Sequence, residues 1–136
     1  MSTIKAANLQ NTGSGAPTFK NSSGTEIGQL CRAWVKFDGT GTLSISKDFN
    51  VSSVTDNSTG NYTVNFSTAM PSSNYCVAGF AHRNGSTGSR VICHIDQSVS
   101  ISTSAYRFTL SGTNNSQVVG LSVVDTDIIF LTFFDS

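Results

Sequence analysis

From Cys31 onward, apolar residues recur at every second position. Cys31, Ala33, Val35 and Phe37 alternate with Arg32, Trp34 and Lys36, the period of a strand that turns one face to a core. "DGTG" turns the chain, and Leu43, Ile45, Phe49 and Val51 continue the rhythm. "TDNSTGN" predicts the next turn, after which Tyr62, Val64 and Phe66 alternate with Thr63 and Asn65. Apolar alternation on both sides of an Asp/Asn/Gly cluster is a hairpin signal.

Met70-Pro71 interrupts the ladder, because proline has no amide donor and holds its predecessor extended. Both faces of Tyr75 to Phe80 are apolar, which predicts a central strand covered on each side. "HRNGSTGSR" reads as a polar loop. Val91 to Ile95, Val99 to Thr103 and Tyr106 to Leu110 follow as strands, "SGTNNSQ" as a turn, then Val118 to Val124 and Ile128 to Phe134 as strands. Roughly nine or ten short strands at this spacing, with no sustained 3.6 period, predict an antiparallel all-β sandwich or barrel over residues 31–136. The predicted core is Val35, Phe37, Leu43, Ile45, Phe49, Tyr62, Val64, Phe66, Val77, Phe80, Val91, Ile101, Phe108, Leu110, Leu121, Val123, Phe130 and Leu131.

Residues 1–30 read differently. Apolar residues are sparse there and Gly, Ser, Asn and Thr dense, so the segment cannot bury enough of itself to fold alone. It is expected to be an extended N-terminal arm for attachment or subunit contact, with Ile4, Leu9 and Phe19 as isolated anchors.

Composition narrows the function classes. The 136 residues suit one domain. Charged residues make up 12% and the net charge is zero, so no basic stripe exists to neutralise phosphates or anionic lipid. Neither nucleic-acid binding nor membrane insertion is expected. The N-terminus lacks the apolar core of a secretory signal, which predicts synthesis in a cytoplasm. Cys31, Cys76 and Cys93 are widely spaced in apolar runs, the setting of buried reduced thiols. No paired Cys or His spacing suggests a metal, and no cofactor is expected.

Chemistry-bearing motifs are few. His94 and Asp96 share a strand face in "VICHIDQ", where a His/Asp dyad is one reading and a satisfied or solvent-facing strand histidine the other. Asp125 and Asp127 in "VVDTDII" supply two carboxylates, too few for calcium, and fit the turn between the last two strands. No activated nucleophile accompanies these groups, so catalytic residues are not expected. Binding is expected on loops instead: Arg83, Asn84, Ser86 and Arg90 in one, Asn114 and Asn115 in another, either to hydrogen-bond sugar hydroxyls or as plain solvated turns. Trp34 faces away from the apolar row of its strand, as a stacking platform or as packing for the arm or a neighbouring subunit.

The run "SSVTDNSTGNYTVNFSTAMPSSNYCVAG" (Ser52 to Gly79) resembles a module of marine bacteriophage virion proteins, especially the distal domains of tail fibres. The upstream "NLQNTGSGAPTFKNSSGTEIGQLCRAWVKFDGTG" is similar to what precedes that module, and the two stretches cover about half the chain. The resemblance implies a homotrimeric, jelly-roll-like β-sandwich displayed on a virion, touching other virion proteins and a host surface glycan or receptor. It transfers no catalytic residue. A tail-fibre or tail-tip protein is the first expectation. The short chain and its arm leave a capsid decoration (cement) protein as the alternative.

Overall fold

The computed structural model describes residues 10, 17–82, 91–112 and 122–135. The chain divides into two compact units at Leu30/Cys31.

In the first unit, β1 (Phe19–Lys20) pairs antiparallel with β2 (Glu26–Gly28). A strand pair in this segment was not expected, because local turn chemistry makes it rather than periodicity. Asn21 Oδ1 accepts hydrogen bonds from the Ser23 and Thr25 amides at 3.0 and 2.9 Å, and Gly24 takes φ 81°, a conformation that suits glycine. Phe19 is exposed on this hairpin, as is Ile27. Ile4 and Leu9 lie outside the described residues.

In the second unit the strands are β3 (Cys31–Asp38), β4 (Ser44–Phe49), β5 (Val51–Ser58), β6 (Asn61–Phe66), β7 (Cys76–His82), β8 (Val91–Ile95), β9 (Ala105–Gly112), β10 (Ser122–Val123) and β11 (Ile128–Phe134). All pairings are antiparallel and no helix occurs among the described residues. One sheet has the order β4-β3-β11-β7; the other runs β10-β9-β6-β5, with β8 also paired to β9. Asn50 carries the chain from the first sheet to the second at φ 56°. Its Nδ2 donates to the carbonyls of Arg32 and Thr68, and its Oδ1 accepts from the Thr68 amide. Asparagine tolerates that left-handed conformation better than most residues.

Rings from both sheets meet in one core. Phe37 on β3 lies edge-on to Tyr62 on β6, centroids 5.4 Å apart, and Phe133 on β11 meets Phe66 on β6 at 4.9 Å. Val35, Phe37, Tyr62, Val64, Phe66, Phe108, Leu110 and Leu131 are buried there, with Leu43, Ile45, Val77, Val91 and Ile101 half-buried against them.

Four residues assigned to the core lie outside it: Phe49, Phe80, Val123 and Phe130 are exposed. Phe130 and Leu131 are neighbours on one strand, so they cannot share a face. β11 is apolar except for Thr132, and the register Ile129↔Phe37, Leu131↔Val35 and Phe133↔Ala33 turns the odd positions inward. Tyr75 to Phe80 was expected to run through the middle of a sheet. Instead β7 forms an edge of its sheet, and Phe80 is 78% exposed. Leu121 lies outside the described residues.

Two boundaries also differ from expectation. Thr55 to Ser58 belong to β5, and only Thr59 and Gly60 turn. Residues 99–103 form no strand; Thr103 accepts the Met70 amide and Ser102 the Tyr75 hydroxyl through their carbonyls. Met70 and Tyr75 are thereby buried at the crossover between β6 and β7, a role that alternation alone does not reveal.

Candidate functional site

Three regions collect polar or exposed aromatic groups. The first is the outer face of β5, β6, β9 and β8, where alternation turns Ser53, Thr55, Asn61, Thr63, Asn65, Arg107 and His94 away from the core. Their side chains bond one another in a mesh. Asn65 Nδ2 donates to the hydroxyls of Ser53 and Thr55, and Asn57 Nδ2 donates to Asn61 Oδ1 and Thr63 Oγ1. Asn61 Nδ2 donates in turn to Asp96 at 2.6 Å and to Thr109.

His94 and Asp96 do not form a dyad. His94 Nε2 lies 2.8 Å from Ser111 Oγ. Asp96 instead accepts from the Ser98 hydroxyl and amide and from Asn61, and pairs with Arg107 Nε at 3.1 Å. Its position just past β8, where the chain turns, redirects its carboxylate along β9. The His94–Ser111 contact has the polarity of a base and a hydroxyl, but among the described residues no carboxylate is bonded to the ring. A nucleophile of that kind works through a base oriented by a third group.

The Ser98 hydroxyl, and after it Asn61, hold the Asp96 carboxyl down to about 2. Hydrogen bonds to the charged form of a carboxylate favour ionisation. Because the folded value lies below the unfolded one near 3.9, the contribution is full above about pH 4 and lost as pH falls through about 2. Asp96→Asn is expected to flatten the acid limb of a stability–pH curve over that window, as read by urea denaturation at successive pH values.

The second region is an open depression of about 640 Å³ lined by Thr40, Gly41, Thr59, Val123, Val124, Asp125 and Asp127. Asp125 and Asp127 do lie between β10 and β11. Asp125 Oδ1 accepts from the Tyr62 hydroxyl and from the Gly60 amide, each at 2.6 Å. The Gly39 carbonyl stands 3.0 Å from the same hydroxyl. Burial, and then the Asp125 hydrogen bond, push the Tyr62 phenol well above its ordinary range. Asp125 therefore ties three turns together. Among the described residues no group of three or more His, Cys, Asp or Glu side chains is placed to hold a metal.

The third region is the outer face of the β4-β3-β11-β7 sheet. Phe80 stands opposite Phe130, Phe130 opposite Lys36, and Lys36 opposite Lys47, one row across four strands. Lys36 Nζ lies 5.3 Å from the centre of the Phe130 ring. In the next row Ala78 stands opposite Thr132, Thr132 opposite Trp34, and Trp34 opposite Phe49. Trp34 thus takes the outward place its strand period predicts. The difference from expectation is one of phase: Phe49, Phe80 and Phe130 face outward, and the lone Thr132 is the signal for it on β11.

Of the expected binding residues, Arg83, Asn84, Ser86, Arg90, Asn114 and Asn115 lie outside the described residues. The three cysteines are free thiols, though not all buried: Cys76 is exposed on the outer face of β7 and Cys31 is half-buried. Burial pushes the Cys93 thiol up to about 11, so it stays protonated and unreactive at neutral pH.

No protein-family model, no curated protein and no solved structure matches the chain.

Proposed function

We propose that this chain is a bacteriophage virion surface protein, a non-enzymatic homotrimeric β-sandwich of the tail-fibre or tail-tip type that contacts the host surface. The observation that carries the reading is the stretch Ser52 to Gly79. In it β5, β6, a crossover that buries Met70 and Tyr75, and β7 follow one another, and its inward residues are spent on packing. The similarity to tail-fibre distal domains falls on this framework, and its outward residues are mainly hydroxyls and amides suited to contact. The face-to-face core of the two antiparallel sheets favours the sandwich arrangement over a closed barrel.

A second reading, a capsid decoration protein, is favoured by the hairpin in residues 19–28. Phe19 and Ile27 expose their side chains on it, and Leu30 just after it, a surface that gains from lying against a shell. Density mapping of intact particles separates the two readings. The tail reading expects a few copies at the tail end and competition by the purified protein with phage adsorption to cells. Copies in the dozens or hundreds over the head would decide for decoration, and absence from purified particles would end both.

A further inference from the structure

We propose that the outer face of the β4-β3-β11-β7 sheet is a self-association surface that receives the acidic end of a second copy of this chain. The proposal rests on the homotrimer reading above and adds to it which surfaces meet.

Three observations lead here. Phe80, Phe130 and Phe49 are 78%, 42% and 54% exposed on this face. At about 200 Å² per aromatic side chain they leave on the order of 350 Å² of ring surface in water. A patch of that size on a soluble domain commonly marks an interface.

Lys36 and Lys47 face each other directly across β3 and β4. Like charges so placed repel, and neither lysine has a carboxylate partner within the described residues; the ion pair found there is Arg107–Asp96. The face thus combines apolar area with two lysines that no carboxylate pairs among the described residues.

The complement lies on the same chain. Asp125 accepts from the Tyr62 hydroxyl, Asp56 stands opposite Tyr62 across β5 and β6, Asp38 precedes the Gly39 carbonyl that lies 3.0 Å from the same hydroxyl, and Asp127 lines the adjoining depression with Asp125. Four of the eight acidic residues therefore gather at the end where β3, β5 and β10 meet their turns. Two copies set face against face would bring lysine rows together. An acidic end set on the neighbour's lysine row brings opposite charges together. Such a head-to-tail contact is heterologous, and it closes into a ring when the rotation permits.

The test uses the full chain in sedimentation and light scattering from 1 to 100 µM, concentrations chosen on the order of ordinary assembly constants. Wild type is expected above monomer mass, with association weakening as salt is raised. Phe80→Ser and Lys36→Glu/Lys47→Glu are each expected to weaken association at least tenfold, as is Asp56→Lys at the other end. All sit on exposed or half-exposed positions, and unchanged circular dichroism and melting confirm folding. A 1:1 mixture of Phe80→Ser and Asp56→Lys chains is the sharper measurement. Each keeps one intact surface, so the mixture is expected to form dimers and nothing larger. Wild-type association unchanged in the face variants would overturn this surface while leaving the trimer reading in place. A wild-type monomer at 100 µM would overturn both. Face variants that keep their mass but lose binding to host cells or to an acidic polysaccharide would reassign the face to a ligand.

Discussion

Phe133→Ala is expected to lower the unfolding free energy by about 3–5 kcal/mol, and Phe130→Ala, three positions earlier, by less than about 1 kcal/mol. Phe133 is fully buried and lies edge-on to Phe66, Tyr75 and Tyr106, at 4.9, 5.9 and 5.5 Å. Truncation removes the area buried by the ring and leaves a cavity between two sheets whose backbones are hydrogen-bonded and cannot close over it. Edge-to-face contacts add about 0.5–1.5 kcal/mol beyond area, which places the cost toward the upper end of the range. Phe130 is an outward ring whose loss removes little beyond the Lys36 contact. Domains of this size are stable by about 5–15 kcal/mol, so the first variant gives up a large share and the second almost none. Guanidinium denaturation of both proteins at one pH measures the contrast. A larger loss for Phe130→Ala than for Phe133→Ala would mean that β11 sits in the opposite phase.

Gly60→Ala is expected to cost about 3 kcal/mol or more, against about 1 kcal/mol for Gly41→Ala. Both glycines take positive φ, 65° and 57°, and placing an L-residue there costs roughly 1–2 kcal/mol. They differ in what surrounds them. A methyl at Gly41 meets nothing within 4 Å, whereas at Gly60 it would stand 2.7 Å from Val124 N and 2.9 Å from the carbonyl oxygens of Leu110 and Val124. Those are backbone atoms, and the bonds Leu110 N–H to Gly60 O at 2.7 Å and Val124 N–H to Leu110 O at 3.2 Å hold them in place. Relief requires opening the junction that Asp125 also ties, so overpacking adds about 1–3 kcal/mol to the backbone strain. Thermal melts of the two variants beside wild type provide the readout. A Gly60→Ala protein as stable as Gly41→Ala would show that the β5–β6 turn and the segment after β10 are not in contact.

The strand period of β3 and β6 was legible because polar residues mark one face: Arg32, Trp34 and Lys36 against Ala33, Val35 and Phe37, and Thr63 and Asn65 against Tyr62, Val64 and Phe66. β7 and β11 resisted the same reading. Their outer positions are mostly apolar too, with only His82 and Thr132 to mark them, so alternation carries little phase and both faces read as buried. In one chain that inference placed Phe80 and Phe130 in the core. Their exposure is also what makes the sheet's outer face a candidate interface. The Asp96 network was partly legible, since turn residues favour Asp and Ser, but its partners Asn61 and Arg107 lie 35 and 11 positions away and no spacing rule joins them.

The sequence by itself determined the all-β class, the place of most strands and the inward rows of β3 and β6, because a period of two and Gly/Asn/Asp turns are local properties of the chain. Only the tertiary structure decided which edge each strand pairs with, the phase of β7 and β11, and the meeting of Gly39, Gly60, Tyr62 and Asp125. Those depend on register between segments distant in the chain, where a slip of one residue reverses every side chain and no local signal specifies the partner.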